Sequence, residues 1–429
     1  SGNRTWNRAT DTLRQPGSTF KIIGAYAPAL DSGLKTLASV QNDAPYTIGT
    51  KTYKNYNDKY LGYTNIRTAI TKSINIVTVK TLEDIGVNLG YEYAQNFGFT
   101  TLCEDDKNLG LSLGGLTNGV SNLELTAAYA TIANKGEYLQ PKFYTVVYDH
   151  DGNVLLDKTH TQESHRVLKE TTAWLLTSAM QDVMTEGTGT RAYFGASMAQ
   201  AGKSGTTTGN RDCLFAGFTP YYTCVVWGGN DDNSLQASGG TSYPKNLWKA
   251  VMGRIHENLE YKSFEQPDGI ETMIVCKESG KLPLDGVCEQ DPRGNLLYAE
   301  YFEKDTLPTE VCDLHVAVNI CETSKMIAGA FCPTDGIIQQ VYVKSAVDKW
   351  TGLEDSSKTS EAEYVITEEQ LDSICNVHDE NSLPAVENPT DAGQTDAGQT
   401  DAGQTGDETG AGNQSNYIDE EVPEGILQN

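Results

Sequence analysis

The chain has 429 residues, 58 of them acidic against 32 Lys and Arg, which leaves a net charge of −26. A length of that order holds roughly two to four domains. The acidity excludes nucleic acid and anionic membrane surface as the main partner, and no run of about 18 apolar residues is present to span a bilayer.

The chain opens on Ser1-Gly2-Asn3-Arg4, neither a Met start nor a signal peptide, and reads as a piece of a longer protein. Pro16-Gly17 marks a turn, and Ser18 is a natural first residue for a helix. Phe20, Ile22, Ile23, Ala25 and Ala29 point in most directions around that helix, so it should be buried on nearly all sides, with Pro28 kinking or ending it. Residues 64–100 read as helix in two pieces with a break near Gly86. Residues 121–135 read as a helix opened by a capping box, Ser121 with Glu124. A hairpin about Asp151-Gly152 covers 143–156, and a helix covers 170–186. Three successive strands follow at 199–208, 213–218 and 222–227. After about residue 265 the composition shifts to short segments punctuated by Cys, Pro and Gly, with Cys276, Cys288, Cys312, Cys321, Cys332 and Cys375. That clustering predicts a small cross-linked or metal-bound module. Residues 384–429 hold ten acids, no Lys or Arg, and Thr-Asp-Ala-Gly-Gln three times in succession from Thr390. So apolar-poor a tail cannot offset its ordering entropy and is expected to be disordered. The division expected is therefore 1–265, 266–383 and 384–429.

Three constellations carry chemistry. In Ser18-Thr19-Phe20-Lys21 the serine and lysine share a helix face, so the amine can take the hydroxyl proton. A lysine between Phe20 and Ile22-Ile23 in a buried helix is costly unless it has a task. The N–H of Ser18, at a helix start, is free to face a developing oxyanion. Ser73-Ile74-Asn75 places a hydroxyl and an amide two apart in an apolar run. Lys203-Ser204-Gly205-Thr206 lies in a glycine-flanked strand, where Gly205 admits another backbone and alternation sets Ser204 and Thr206 on the face opposite Lys203. A phosphate-loop reading of Gly202-Lys203-Ser204 fails, because position 197 is Ser and not Gly.

S-x-x-K, S-x-N and K-[ST]-G in this order form the set of penicillin-binding proteins and class A β-lactamases. With Arg14-Gln15-Pro16-Gly17 before Ser18, Gly187-Thr188-Gly189-Thr190 and Gly217-Phe218-Thr219-Pro220 beside them, the sequence resembles the transpeptidase domain of class A penicillin-binding proteins, densely over about 1–260. The resemblance implies an α/β (α+β) fold, a mainly antiparallel sheet flanked by helices beside a helical lobe. It implies a serine D,D-transpeptidase that cross-links peptidoglycan stem peptides ending in D-Ala-D-Ala and is acylated by β-lactams, with no cofactor and no metal. Ser18 would be the nucleophile, Lys21 its base, Ser73 a proton relay steered by Lys203, and Asn75 a ligand of the substrate peptide. Ser204 and Thr206 would hold the terminal carboxylate, and the Thr206 N–H beyond Gly205 would complete the oxyanion hole. The parent would be anchored at the extracytoplasmic face of the bacterial cell membrane, with a glycosyltransferase domain. Only 17 residues precede Ser18, so the first strands of the domain are expected to be missing. DD-carboxypeptidase, β-lactamase and a silent penicillin-sensing module remain as alternatives.

Other residues draw rival readings. Gly110-Leu111-Ser112-Leu113-Gly114 matches a nucleophile elbow but follows a polar loop rather than a strand. A β-lactamase would supply a deacylating glutamate in an E-x-x-L-N pattern, and Glu104-Asp105-Asp106-Lys107-Asn108 offers only a charged loop. The cysteines are expected to form disulfides, Cys276 with Cys288 first. Zinc on Cys312, His315, Cys321 and Cys332 is the weaker alternative, and free thiols the third. His150, His160, His165, His256 and His378 lie in polar stretches and are expected on the surface.

Overall fold

The structure is a computed structural model, and it describes residues 6–236, 240–344 and 364–382. The expected disordered tail lies outside these. Ser18 sits in a tight 3-10 turn, Gly17–Thr19, that runs through a π-helical stretch, Ile22–Tyr26, into α1, Ala27–Asp31. Pro28 therefore neither ends nor breaks the helix. It has no N–H to give the turn before it, and the chain widens there to the longer π repeat. Phe20, Ile22, Ile23, Ala25, Tyr26 and Ala29 have no solvent exposure, as the all-round apolar pattern requires.

A helical lobe packs around this rod: α2 Ile66–Lys72, α3 Asn75–Ile85, α4 Val87–Asn96 and α5 Asn122–Ala133. The 64–100 region thus has two breaks. Gly86 makes one, and Ser73-Ile74 makes the other at the site described below. α5 starts on the capping box of Ser121 and Glu124. α6, Glu170–Thr185, lies against the rod and against the sheet.

The sheet is β1 Ala201–Thr206, β2 Asp212–Phe218 and β3 Thr223–Gly229, antiparallel in sequence order, with α7, Tyr243–Ile255, on β2 and β3. β2 is buried along its whole length, which fits a central strand covered on both faces. The hairpin about Asp151-Gly152 forms from Val146–Tyr148 and Val154–Asp157.

Beyond α7 come two antiparallel hairpins in succession. One pairs β4 Ile270–Cys276 with β5 Leu297–Glu303, and the other pairs β6 His315–Cys321 with β7 Ile337–Lys344. A short β8, Val365–Ile366, runs parallel to β7. The first hairpin is fixed to the lobe by Arg67 of α2, which donates to Glu300 of β5 through Nε (2.8 Å) and Nη2 (2.7 Å) and to Asp182 of α6 through Nη1 (2.7 Å). Asn65 donates to the Tyr298 hydroxyl beside it. Among the described residues no helix is long and apolar enough to cross a membrane.

Candidate active site

The rod, the α2–α3 junction and β1 converge. Ser73 caps α2 in the left-handed region, φ 60°, and Asn75 opens α3 directly after it. A β-carbon residue held there is strained, and such strain collects where a side chain must be aimed. β1 lies against the Ser18 turn. A β-carbon on Gly205 would sit 2.7 Å from the Pro16 carbonyl oxygen and 2.8 Å from the Thr19 methyl, so only glycine lets the strand approach. This brings the K-S-G-T backbone alongside the turn that carries Ser18.

Lys21 and Lys203 are both without solvent exposure. The Lys21 ammonium nitrogen lies 2.7 Å from the Ser73 carbonyl oxygen, 2.7 Å from Asn75 Oδ1 and 3.4 Å from Ser73 Oγ. Lys203 Nζ donates to Ser73 Oγ at 2.7 Å and to the Ser204 carbonyl at 3.2 Å. Burial holds Lys21 well below its ordinary value, and the charge of Lys203 adds to that effect while Asp43 opposes it. Burial, with the nearby charge of Lys245, brings Lys203 to about 7. A neutral Lys21 amine has two N–H bonds and one lone pair. The two short contacts and the longer one to Ser73 Oγ fix the Lys21 nitrogen between Ser73 and Asn75.

Ser18, Ser73, Asn75, Ser204 and Thr206 are half-buried around this cluster. Ser204 Oγ donates to Thr188 Oγ1 at 2.8 Å, and Lys245 Nζ donates to the Thr188 carbonyl at 3.1 Å. Two residues behind Asn75 escape sequence reasoning. Asn55 accepts from the Asn75 N–H (2.9 Å) and donates to the fully buried Asp43 (2.7 Å). Neither belongs to a motif, and Asn75 lies on another element, so nothing local marks them. Thr188 did carry a signal, in Gly187-Thr188-Gly189-Thr190.

The remaining sequence candidates lie elsewhere. Ser112 is fully buried in a 3-10 turn and donates back to the Leu109 carbonyl, which leaves no elbow. Glu104 pairs with Lys107 at 2.8 Å with its side chain 82% exposed. His256 is a correction to the surface expectation. It is buried, with Nε2 2.8 Å from Thr219 Oγ1 and Nδ1 2.7 Å from the Met252 carbonyl. The Cys276–Cys288 bridge is also overturned, since both thiols are free. The six C-terminal cysteines gather instead with two histidines as groups able to hold a metal, Cys276-Cys288-Cys312-His315 and Cys321-Cys332-Cys375-His378.

Comparison with known proteins bears on the whole arrangement. The Penicillin binding protein transpeptidase domain family matches residues 2–252, and the Penicillin-binding protein 1A, C-terminal domain family matches residues 266–317. Penicillin-binding protein 1A of Clostridium botulinum strain Hall is 37% identical over 355 residues, 80% of this chain and 42% of that protein. Penicillin-binding protein 1F of Bacillus subtilis is 36% identical over 263 residues, 59% of this chain and 36% of that protein. The chain thus spans less than half the length of these relatives. Among solved structures, penicillin-binding protein 1A of Haemophilus influenzae superposes with a TM-score of 0.61 at 25% identity, covering 72% of this chain and 50% of that one. A Mycobacterium tuberculosis penicillin-binding protein in complex with penicillin V shares the fold, with a TM-score of 0.56 at 24% identity, covering 61% of this chain and 74% of that one. On the matched span and the identity to these relatives, this chain belongs to the penicillin-binding protein transpeptidase family.

Proposed function

We propose that the chain is the serine D,D-transpeptidase part of a peptidoglycan-synthesising enzyme, acylated on Ser18 by stem peptides ending in D-Ala-D-Ala and by β-lactams. The observation that carries this reading is the meeting of fully buried Lys21 with Ser73 and Asn75, beside Lys203 on the Ser73 hydroxyl. Lys21, held neutral, takes the Ser18 proton as Oγ attacks the carbonyl carbon. The N–H groups of Ser18 and Thr206 receive the oxyanion. Ser73, receiving a hydrogen bond from Lys203, passes its proton to the leaving D-Ala amine and takes in its place the proton that Lys21 removed from Ser18. The hydroxyls of Ser204 and Thr206 hold the terminal carboxylate, with the charge of Lys203 and Lys245 behind them. Asn75 orients the peptide. An acceptor amine then resolves the ester by the reverse proton path. The parent acts from the extracytoplasmic face of the bacterial cell membrane, anchored beside a glycosyltransferase domain.

Transpeptidase is favoured over β-lactamase because Glu104 is exposed and paired to Lys107, so it is not placed as a base for deacylating water. Labelled penicillin should attach to Ser18 and persist for minutes to hours, far beyond turnover at the ~10 s⁻¹ typical of enzymes. Ser18→Ala should abolish labelling, and Ser112→Ala should not. Rapid penicillin turnover lost in Glu104→Gln would establish a β-lactamase instead.

A further inference from the structure

The two C-terminal hairpins repeat one another down to single hydrogen bonds. In the first, the strand β4 ends at Cys276, whose N–H donates to the Lys281 carbonyl and whose carbonyl accepts from the Gly280 N–H. In the second, β6 ends at Cys321, whose N–H donates to the Met326 carbonyl and whose carbonyl accepts from the Lys325 N–H. Gly280 and Lys325 both adopt positive φ, 71° and 59°. Leu282 then bridges in parallel to Val311, and Ile327 to Ile374, in each case just before the next cysteine, Cys312 or Cys375. A backbone N–H points at the second sulfur of each unit, from Leu284 to Cys288 Sγ (3.2 Å) and from Gly329 to Cys332 Sγ (3.3 Å). Each unit closes on Cys-x-x-His, as Cys312–His315 and Cys375–His378.

The spacing of the ligand atoms identifies what the repeat holds. In each group the three sulfurs and the imidazole nitrogen lie within 4.8 Å of one another. Cys276 Sγ and Cys312 Sγ are 3.7 Å apart, and His315 Nδ1 is 3.4 Å from each. His378 Nδ1 is likewise 3.4 Å from Cys321 Sγ and from Cys375 Sγ. Zn–S bonds of about 2.3 Å make a tetrahedron whose S···S edge is about 3.8 Å, whereas a disulfide needs about 2.05 Å. Behind the first group, His315 Nε2 lies 2.9 Å from Asp291 Oδ2, both side chains fully buried. A carboxylate on the far nitrogen fixes the tautomer that leaves Nδ1 unprotonated for a cation.

We infer that the two repeated hairpin units form a duplicated zinc module, one tetrahedral Zn²⁺ held by the thiolates of Cys276, Cys288 and Cys312 with His315 Nδ1 and another by those of Cys321, Cys332 and Cys375 with His378 Nδ1. Four protein ligands leave no open position, so both sites are structural rather than catalytic. The two are joined in series, because His315 and Cys321 are the two ends of the one strand β6. The set is soft and tetrahedral, which selects zinc over calcium, magnesium or manganese. This replaces the expected disulfides and divides the zinc set Cys312, His315, Cys321 and Cys332 between two sites.

The test is metal analysis of the full 429-residue chain purified without added metal and passed over a chelating resin. Two zinc ions per chain are expected, falling to one in Cys312→Ser, one in Cys375→Ser and none in the double variant. Should the serine variants fail to fold, His315→Cys and His378→Cys provide the second measurement, since each keeps four ligands and should retain two zincs. Asp291→Asn should weaken the first site roughly 10–100-fold in a chelator competition and leave the second unchanged. Exchange with Co²⁺ should produce the intense visible bands of tetrahedral cobalt thiolate. Absence of metal with the six cysteines found as disulfide-linked peptides would overturn the inference, as would stoichiometric iron, or zinc content unmoved by both serine variants.

Discussion

Lys203 shows what the site costs the fold. Its side chain is fully buried, and burial with the charge of Lys245 brings it to about 7 from 10.5. Between those values the unfolded chain binds a proton that the folded chain does not, so this residue's contribution to stability rises with pH across that window and is least favourable below it. Lys203→Met removes the charge and keeps the length. It should abolish penicillin labelling while raising stability by about 2 kcal/mol near pH 6. Thermal melts at pH 6 and pH 10 check this, because the gain should shrink at the higher pH. An equal gain at both would assign it to packing. These polar residues were legible in the sequence because each motif is short enough to fix a face locally: Ser18 with Lys21, Ser73 with Asn75, and Lys203 through Thr206. The shell behind them was not. Asn55 meets Asn75, and Asp43 meets Asn55, only after the chain has folded back, and His378 stands among polar neighbours although its ring faces two sulfurs.

At the scale of elements, the repeated hairpins offer an internal comparison. Gly280 and Lys325 occupy equivalent turns with positive φ, but their surroundings differ. A β-carbon on Gly280 would lie 2.1 Å from the Ala38 carbonyl oxygen, where the first hairpin seats on the lobe. Gly280→Ala should therefore destabilise by well over about 1 kcal/mol. Lys325 already accommodates a side chain and bears the left-handed cost, so Lys325→Gly should gain about 0.5 kcal/mol after the glycine entropy penalty. Denaturant midpoints of the two variants measure both, and a loss in Lys325→Gly would show that the lysine side chain has a role of its own. The helices and the main sheet were readable from periodicity, capping and turn residues, as with Ser121 and Glu124 at α5. The break at Ser73-Ile74 was hidden because Ile74, Ile76 and Val77 continue an apolar run straight through it.

Across the whole molecule, Arg67 ties the lobe to the first hairpin. Glu300 has no exposure, and it receives the guanidinium while Asp182 holds the other side. Glu300→Gln should cost about 3 kcal/mol, because it leaves a buried guanidinium short of a charge. It should also slow acylation, since α2 ends at Ser73. Stopped-flow labelling with penicillin, alongside a denaturation curve, separates the two effects. Arg67→Met with Glu300→Leu should recover most of the stability. The same pair has a consequence for inheritance. Arg67 lies in the stretch matched by the transpeptidase family and Glu300 in the stretch matched by the C-terminal family, so the two segments are not free to be exchanged like beads on a string. A lineage that sheds the hairpins must also replace the arginine, and one that acquires them gains little until the arginine arrives. Descendants should therefore keep or lose residues 67 and 300 as a couple, and a chimera assembled across residue 265 from parents that disagree at these positions should fold poorly even though both halves are intact.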